Sequence, residues 1–259
     1  MRLRQICNES GLNHYMGIAI SAFVATIIAW ASTLLPAEWT STPWHPLLAC
    51  ALFIVPGVPL INFVDDMLDN YIQVGIVRAV NTLLMVAAMA FGIAFAVKLC
   101  HIDNFFPTIS MVPHHKYWEY AIAAAISAMG FSMIFNIQRR LLWVVALGGI
   151  IAVCTRNFVN LGPSTNNIGL DMGLVIGSFS GSVLVSLIAI KAVHWFHVPN
   201  HVLTIPSVIP MIPGVLMYRM LFGLINMNVQ SIDQVTPLMK AIESGVNSGL
   251  IIMCIALGV

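Results

Sequence analysis

Apolar residues fill this chain in long runs, not in alternation and not as one helical stripe. Between polar breaks there are eight such runs, at about 16–35, 46–64, 74–99, 119–137, 141–160, 168–193, 203–225 and 236–258. Each is close to the roughly 20 residues a helix needs to cross bilayer hydrocarbon. A membrane β-barrel would alternate polar and apolar residues over segments of about ten, whereas these runs are apolar on every face. The breaks carry turn chemistry, as in PAEWTSTPWH after the first run and NLGPSTNN after the fifth. The pattern predicts an all-α polytopic membrane protein of about eight transmembrane helices.

Two runs are interrupted from within. FIVPGVPL spans Phe53–Leu60 and MIPGVLMY spans Met211–Tyr218. Gly57 and Gly214 lie about ten and eleven residues from the ends of their runs, which at about 1.5 Å per residue is near the bilayer centre. Proline has no N–H and its ring displaces the carbonyl four residues earlier. Pro56 and Pro59 are therefore expected to free the carbonyls of Leu52 and Val55, and Pro206, Pro210 and Pro213 those of Val202, Pro206 and Ile209. Irregular backbone at that depth is tolerated where it is buried in protein or lines a polar cavity. Each break would then offer carbonyls to a cation and a half-helix N-terminus to an anion.

The interruptions recur. Met16-Gly17-Ile18-Ala19-Ile20 is matched by Met172-Gly173-Leu174-Val175-Ile176, and Phe23 by Phe179, at an offset of 156; PGV recurs at Pro56 and Pro213, an offset of 157. Runs one to three and six to eight thus read as copies of one unit. A period of five crossings is odd, so the copies would enter the membrane from opposite sides, the inverted-topology repeat of secondary transporters with a midplane site.

Composition agrees with the pattern: 59% of residues are apolar, 8% are charged and mean hydropathy is +0.91, against roughly a quarter charged in soluble domains. The net charge of +1, with no basic block, gives no sign of a nucleic-acid partner. Five scattered cysteines without a CxxC pair read as small apolar residues, and the 15 methionines as packing. His194, His197 and His201 have metal-ligand spacing but no neighbouring Cys or carboxylate in sequence, and with His114 and His115 they read as interfacial, so neither metal nor cofactor is expected. Nor does the chain carry an HExxH or GxSxG motif of a membrane enzyme. Arg2, Arg4 and the Arg139–Arg140 doublet favour a cytoplasmic N-terminus.

The remaining polar residues supply candidate chemistry. Substrate contacts are expected at Pro56, Gly57, Val58, Pro59 and Asn62 around the first break, and at Pro210, Pro213, Gly214 and Tyr218 around the second. Asp65 and Asp66 follow the first break and are candidates for proton or ion coupling, with a solvated loop as the other reading; Asp69 falls in that loop. Arg156 and Arg219 could fork onto a substrate carboxylate or anchor an outer loop.

The segment LFIVPGVPLINFVDDMLDNYIQVGIVRAVNTLLM resembles the last two membrane helices of the first module of the threonine/serine exporter family. GFSMIFNIQRRLLWVVALGGIIAVCTRN and VLTIPSVIPMIPGVLMYRML are similar to its second module. The resemblance covers nearly the whole chain. It implies an end of the first module with three helices over 1–102 and a five-helix second module over 103–259. It also implies inner-membrane, proton-driven export of threonine, serine or a similar small amino acid. Related pairs of one-module proteins are linked to export of succinate-like dicarboxylates. Relative to that family, a soluble domain and two helices of the first module are expected upstream. Either the start is misassigned, an upstream product of a split gene supplies them, or the chain is a fragment; the expected partners are such an upstream first-module protein or further copies of the chain, and a non-transporting subunit is the other reading.

Overall fold

A computed structural model describes residues 11–31, 56–100, 116–162, 168–225 and 235–259. Among these, the regular structure is helical: α1 His14–Ala31, α2 Gly57–Leu68, α3 Ile72–Leu99, α4 Tyr117–Ile134, α5 Leu142–Asn160, α6 Leu174–Phe196, α7 Asn200–Val208, α8 Gly214–Ile225 and α9 Val235–Gly258, with short 3₁₀ turns at Arg139–Leu141 and Ile209–Met211.

Five helical segments are long and apolar enough to cross a membrane: His14–Ala31, Ile72–Leu99, Arg139–Asn160, Leu174–Phe196 and Leu238–Gly258. Asn200–Met211 with the helix beginning at Gly214 makes a sixth if counted as one broken span. The difference from eight runs has local causes. The run at 46–64 is described only from Pro56 onward, and its helix, α2, has 12 residues. α4 has 18 residues but opens on Tyr-Trp-Glu-Tyr, which lowers its apolarity. Faces such as Val77, Val80, Leu83, Phe91 and Phe95 of α3 are exposed, a patch that belongs in hydrocarbon and not in water.

The chain forms two compact units that interleave in sequence. In the first, α1 runs beside α3: the Tyr15 hydroxyl donates to Asn81 Oδ1 at 2.7 Å, and the rings of Phe23 and Phe95 lie 5.5 Å apart. Position numbers rise together along both helices, so the two are parallel.

In the second unit α5 packs against α4, α6 and α7. A Cβ added at Gly177 or Gly181 of α6 would sit 2.6 Å from the carbonyl oxygens of Arg156 and Ala152 respectively. Here the missing side chain lets two backbones touch, as small residues do at membrane helix interfaces. The order 152 with 181 and 156 with 177 makes α5 and α6 antiparallel. α7 runs parallel to α5, with Leu203 in a core with Leu141, Val145, Ala128 and Ala189, and Ser207 Oγ donating to the Val145 carbonyl at 3.3 Å. This frame delivers the end of α7, and with it the second break, to the last turns of α5.

Candidate functional site

The second break is built residue by residue. Pro206 lies inside α7. Pro210 opens the 3₁₀ turn Ile209–Met211, after which Ile212 is extended (φ −61°, ψ 130°), Pro213 follows and α8 starts at Gly214. Proline spacing predicts that Pro213 frees the Ile209 carbonyl, but the Ile212 N–H donates to that carbonyl at 3.0 Å, because the chain tightens into a 3₁₀ turn before it breaks. A different carbonyl of the break is engaged from outside the turn: Arg156 Nη1 of α5 donates to Met211 O at 3.5 Å, a long contact.

Arg156 is held by its neighbour. Its Nε and Nη2 both donate to Asn157 Oδ1, each at 3.3 Å, and Asn157 is 5% exposed. A guanidinium has five donors. With three directed at Asn157 and Met211, two donors remain by count, the number a carboxylate accepts from a guanidinium.

The first break meets the same turn. A Cβ on Gly57 would lie 2.8 Å from Ile212 Cδ1 and 3.5 Å from Ile209 Cγ2. Pro59 falls in the first turn of α2, where its missing N–H is one the helix leaves unbonded in any case, so it shapes the helix start. Val58, Pro59 and Asn62 are half-buried on α2. Leu52 and Val55, whose carbonyls Pro56 and Pro59 were expected to free, lie outside the described residues.

The carboxylates after the first break divide by environment. Asp66 pairs with Arg78 of α3, Oδ2 to Nη1 at 2.8 Å, across the turn in which Asn70 takes a left-handed φ of 68°. Asp65 stands past the apolar run, and burial raises its carboxyl above the ordinary value of 3.8; His201 of α7 pulls it down, while Asp69 and Asp66 push it up. His201 thus lies near Asp65 while Ile209 and Ile212 lie near Gly57, an order that sets α2 and the α7 segment head to tail.

Four of the expected site residues belong to the other compact unit, half-buried Pro56 among them. Gly214 and Tyr218 are buried there, Tyr218 at 2% exposure, and Arg219 is half-buried. His194 Nδ1 contacts the Ile190 carbonyl of its own helix at 3.0 Å, and His197 ends α6 in a left-handed conformation. His114 and His115 lie outside the described residues.

The sequence signature described as "Threonine/Serine exporter, ThrE" matches residues 120–259, more than half of the chain. The chain belongs to the threonine/serine exporter family. A second threonine/serine exporter signature matches residues 1–100. Among curated relatives, the chain is 34% identical over 99 residues to the "Probable succinate transporter subunit YjjP" of Klebsiella aerogenes, and 32% identical over 99 residues to the protein of that name in Escherichia coli strain K12. Each alignment covers 38% of this chain and 38% of the relative. No solved structure matches. As a member of this family the chain is a multi-pass membrane protein, and Arg156, Asn157, Met211 and Ile212 all fall within the first matched segment.

The sequence had singled out Arg156, Gly57 and Pro213, but neither the Met211 carbonyl nor Arg78. Met211 has no distinguishing side chain, and its role follows from where the turn places its backbone. Arg78 lies 12 residues from Asp66, and only the left-handed turn at Asn70 folds the two together.

Proposed function

We propose that the chain exports small carboxylate-bearing solutes, threonine and serine foremost, across the cell inner membrane with its N-terminus in the cytoplasm, driven by the proton gradient. The observation that carries this reading is the Arg156 guanidinium on the Met211 carbonyl at the second break, with Gly57 of the first break against the same turn. Arg156 would take the substrate carboxylate. Carbonyls left without helical partners at the breaks would take the ammonium group of an amino acid, which is absent in a simple dicarboxylate. Asp65, near the α2 end of the same unit, would carry the coupled proton, while Asp66 would hold α2 to α3 through Arg78. Residues 1–102 and 103–259 would act as first-module and second-module portions related by inverted topology.

A second reading, export of succinate-like dicarboxylates, is favoured by the printed names of the relatives, which also call them subunits. On either reading the chain would work with further first-module protein or with another copy of itself. The test is counterflow of labelled threonine, serine and succinate in proteoliposomes holding the full chain, with and without such a partner protein, under an imposed pH gradient. Gradient-dependent uptake of threonine or serine is expected; uptake of succinate alone would select the second reading, and uptake of none would remove both.

A further inference from the structure

A cavity of about 670 Å³, open on one side, lies between α5, α6 and α7, away from the breaks. Its walls include Leu147, Ile151, Ile188, Leu203 and Phe196. A volume in the roughly 300–1,000 Å³ range is that of a ligand site and not of a packing defect.

One end of this groove differs from the rest. Trp143, Trp195 and Lys191 line it, and Trp143 follows the Arg139–Arg140 doublet by one helical turn. Leu141 packs in one core with Ala189, next to Ala192 and Val193, so the doublet and Lys191 stand at the same level of the bundle. Indole rings concentrate where hydrocarbon meets headgroups, and lysine reaches from apolar surface toward that boundary. Among the described residues no carboxylate pairs with Arg139, Arg140 or Lys191. Arg140 Nε donates instead to Gln138 Oε1 at 2.7 Å. Lys191 thus lines one end of an apolar slot, and the arginine doublet stands at that level of the bundle.

We propose that the groove holds one anionic phospholipid, its acyl chain along Leu147, Ile151 and Ile188 and its phosphate against Lys191 and the Arg139–Arg140 pair. Charge complementarity selects this occupant. A neutral molecule would leave the cations unused, and a second copy of the chain would press like charges together. Basic pockets between membrane helices are suited to anionic headgroups, each Lys or Arg contributing about a fivefold gain in binding.

Native mass spectrometry of the full chain, released from detergent with phosphatidylglycerol or phosphatidylcholine, tests the assignment. Phosphatidylglycerol is expected to stay bound at 1:1 where phosphatidylcholine is lost. Lys191→Gln should weaken retention about fivefold, and Arg139→Gln with Arg140→Gln more than that. Lys191→Arg should restore it, which separates lost charge from misfolding. Ile188→Trp, filling the slot with every cation intact, should also reduce retention. Equal retention of the two lipids, indifference to Lys191→Gln, indifference to Ile188→Trp, or a dimer in place of a lipid adduct would each overturn the proposal.

Discussion

At the scale of single residues, Arg156 and Gly57 have different tolerances for change. Hydrogen bonds to a charged group are worth about 1.5–3 kcal/mol, so Arg156→Gln is expected to raise the apparent KM for the transported solute roughly ten- to a hundredfold. Arg156→Lys should recover little, because a point charge cannot bridge Asn157 and Met211 as the planar fork does. Steady-state uptake by the two variants checks this, and a wild-type KM in both would take Arg156 out of the site. At Gly57 the nearest neighbour of an added Cβ is the tip of Ile212, which can turn aside. Gly57→Ala should therefore transport, whereas Gly57→Leu should insert in the membrane but not transport. Asp65 gives a pH test. Because its folded carboxyl binds the proton more tightly than an ordinary one, the folded chain holds more protons than the unfolded chain in the window just above 3.8, and stability falls as pH rises through that window. Asp65→Asn should flatten this fall in melting curves and should also uncouple uptake from the pH gradient. An unchanged pH dependence in both would make Asp65 a solvated carboxylate on α2 with no part in coupling.

At the scale of elements, the α5–α6 contact makes the sharper stability prediction. The Cβ of Gly177→Ala or Gly181→Ala would meet a backbone carbonyl at 2.6 Å, which cannot rotate away as Ile212 can. Overpacking of this kind costs about 1–3 kcal/mol, so each variant should lower the melting temperature in detergent, and Gly177→Ala should also weaken transport by moving Arg156. Unchanged melting would mean that the helices are not in contact there. Elements were also where the sequence was most legible. The runs that became α1, α3, α5, α6 and α9 could be read from apolar length alone, and the second break from PGV. Less could be read of how the break satisfies its backbone. Proline spacing suggested the Ile209 carbonyl as a free acceptor, but the 3₁₀ turn uses that group and the contact to Arg156 falls to Met211. Such an outcome depends on the hand and tightness of one turn and on the parallel course of α5 and α7, neither of which leaves a mark on local composition.

At the scale of the whole molecule, membership of the threonine/serine exporter family meets one piece of geometry. The family is described by export of threonine and serine, which carry a carboxylate, and here Gly57 of the first break, the Ile209–Ile212 turn that leads into the second, and Arg156 lie within one compact unit. Inverted repeats bring like features of two sequence-distant segments together near the bilayer centre. Gly57 lies against the side chains of Ile209 and Ile212, more than 150 residues away in sequence. The most direct measurement is substrate protection at the break. Ile212→Cys, in the full chain with its native cysteines replaced, is labelled with a maleimide in proteoliposomes with and without threonine, serine or succinate. The account predicts that a transported solute slows labelling and that Arg156→Gln abolishes the protection; labelling indifferent to every solute, in a chain that still transports, would contradict it.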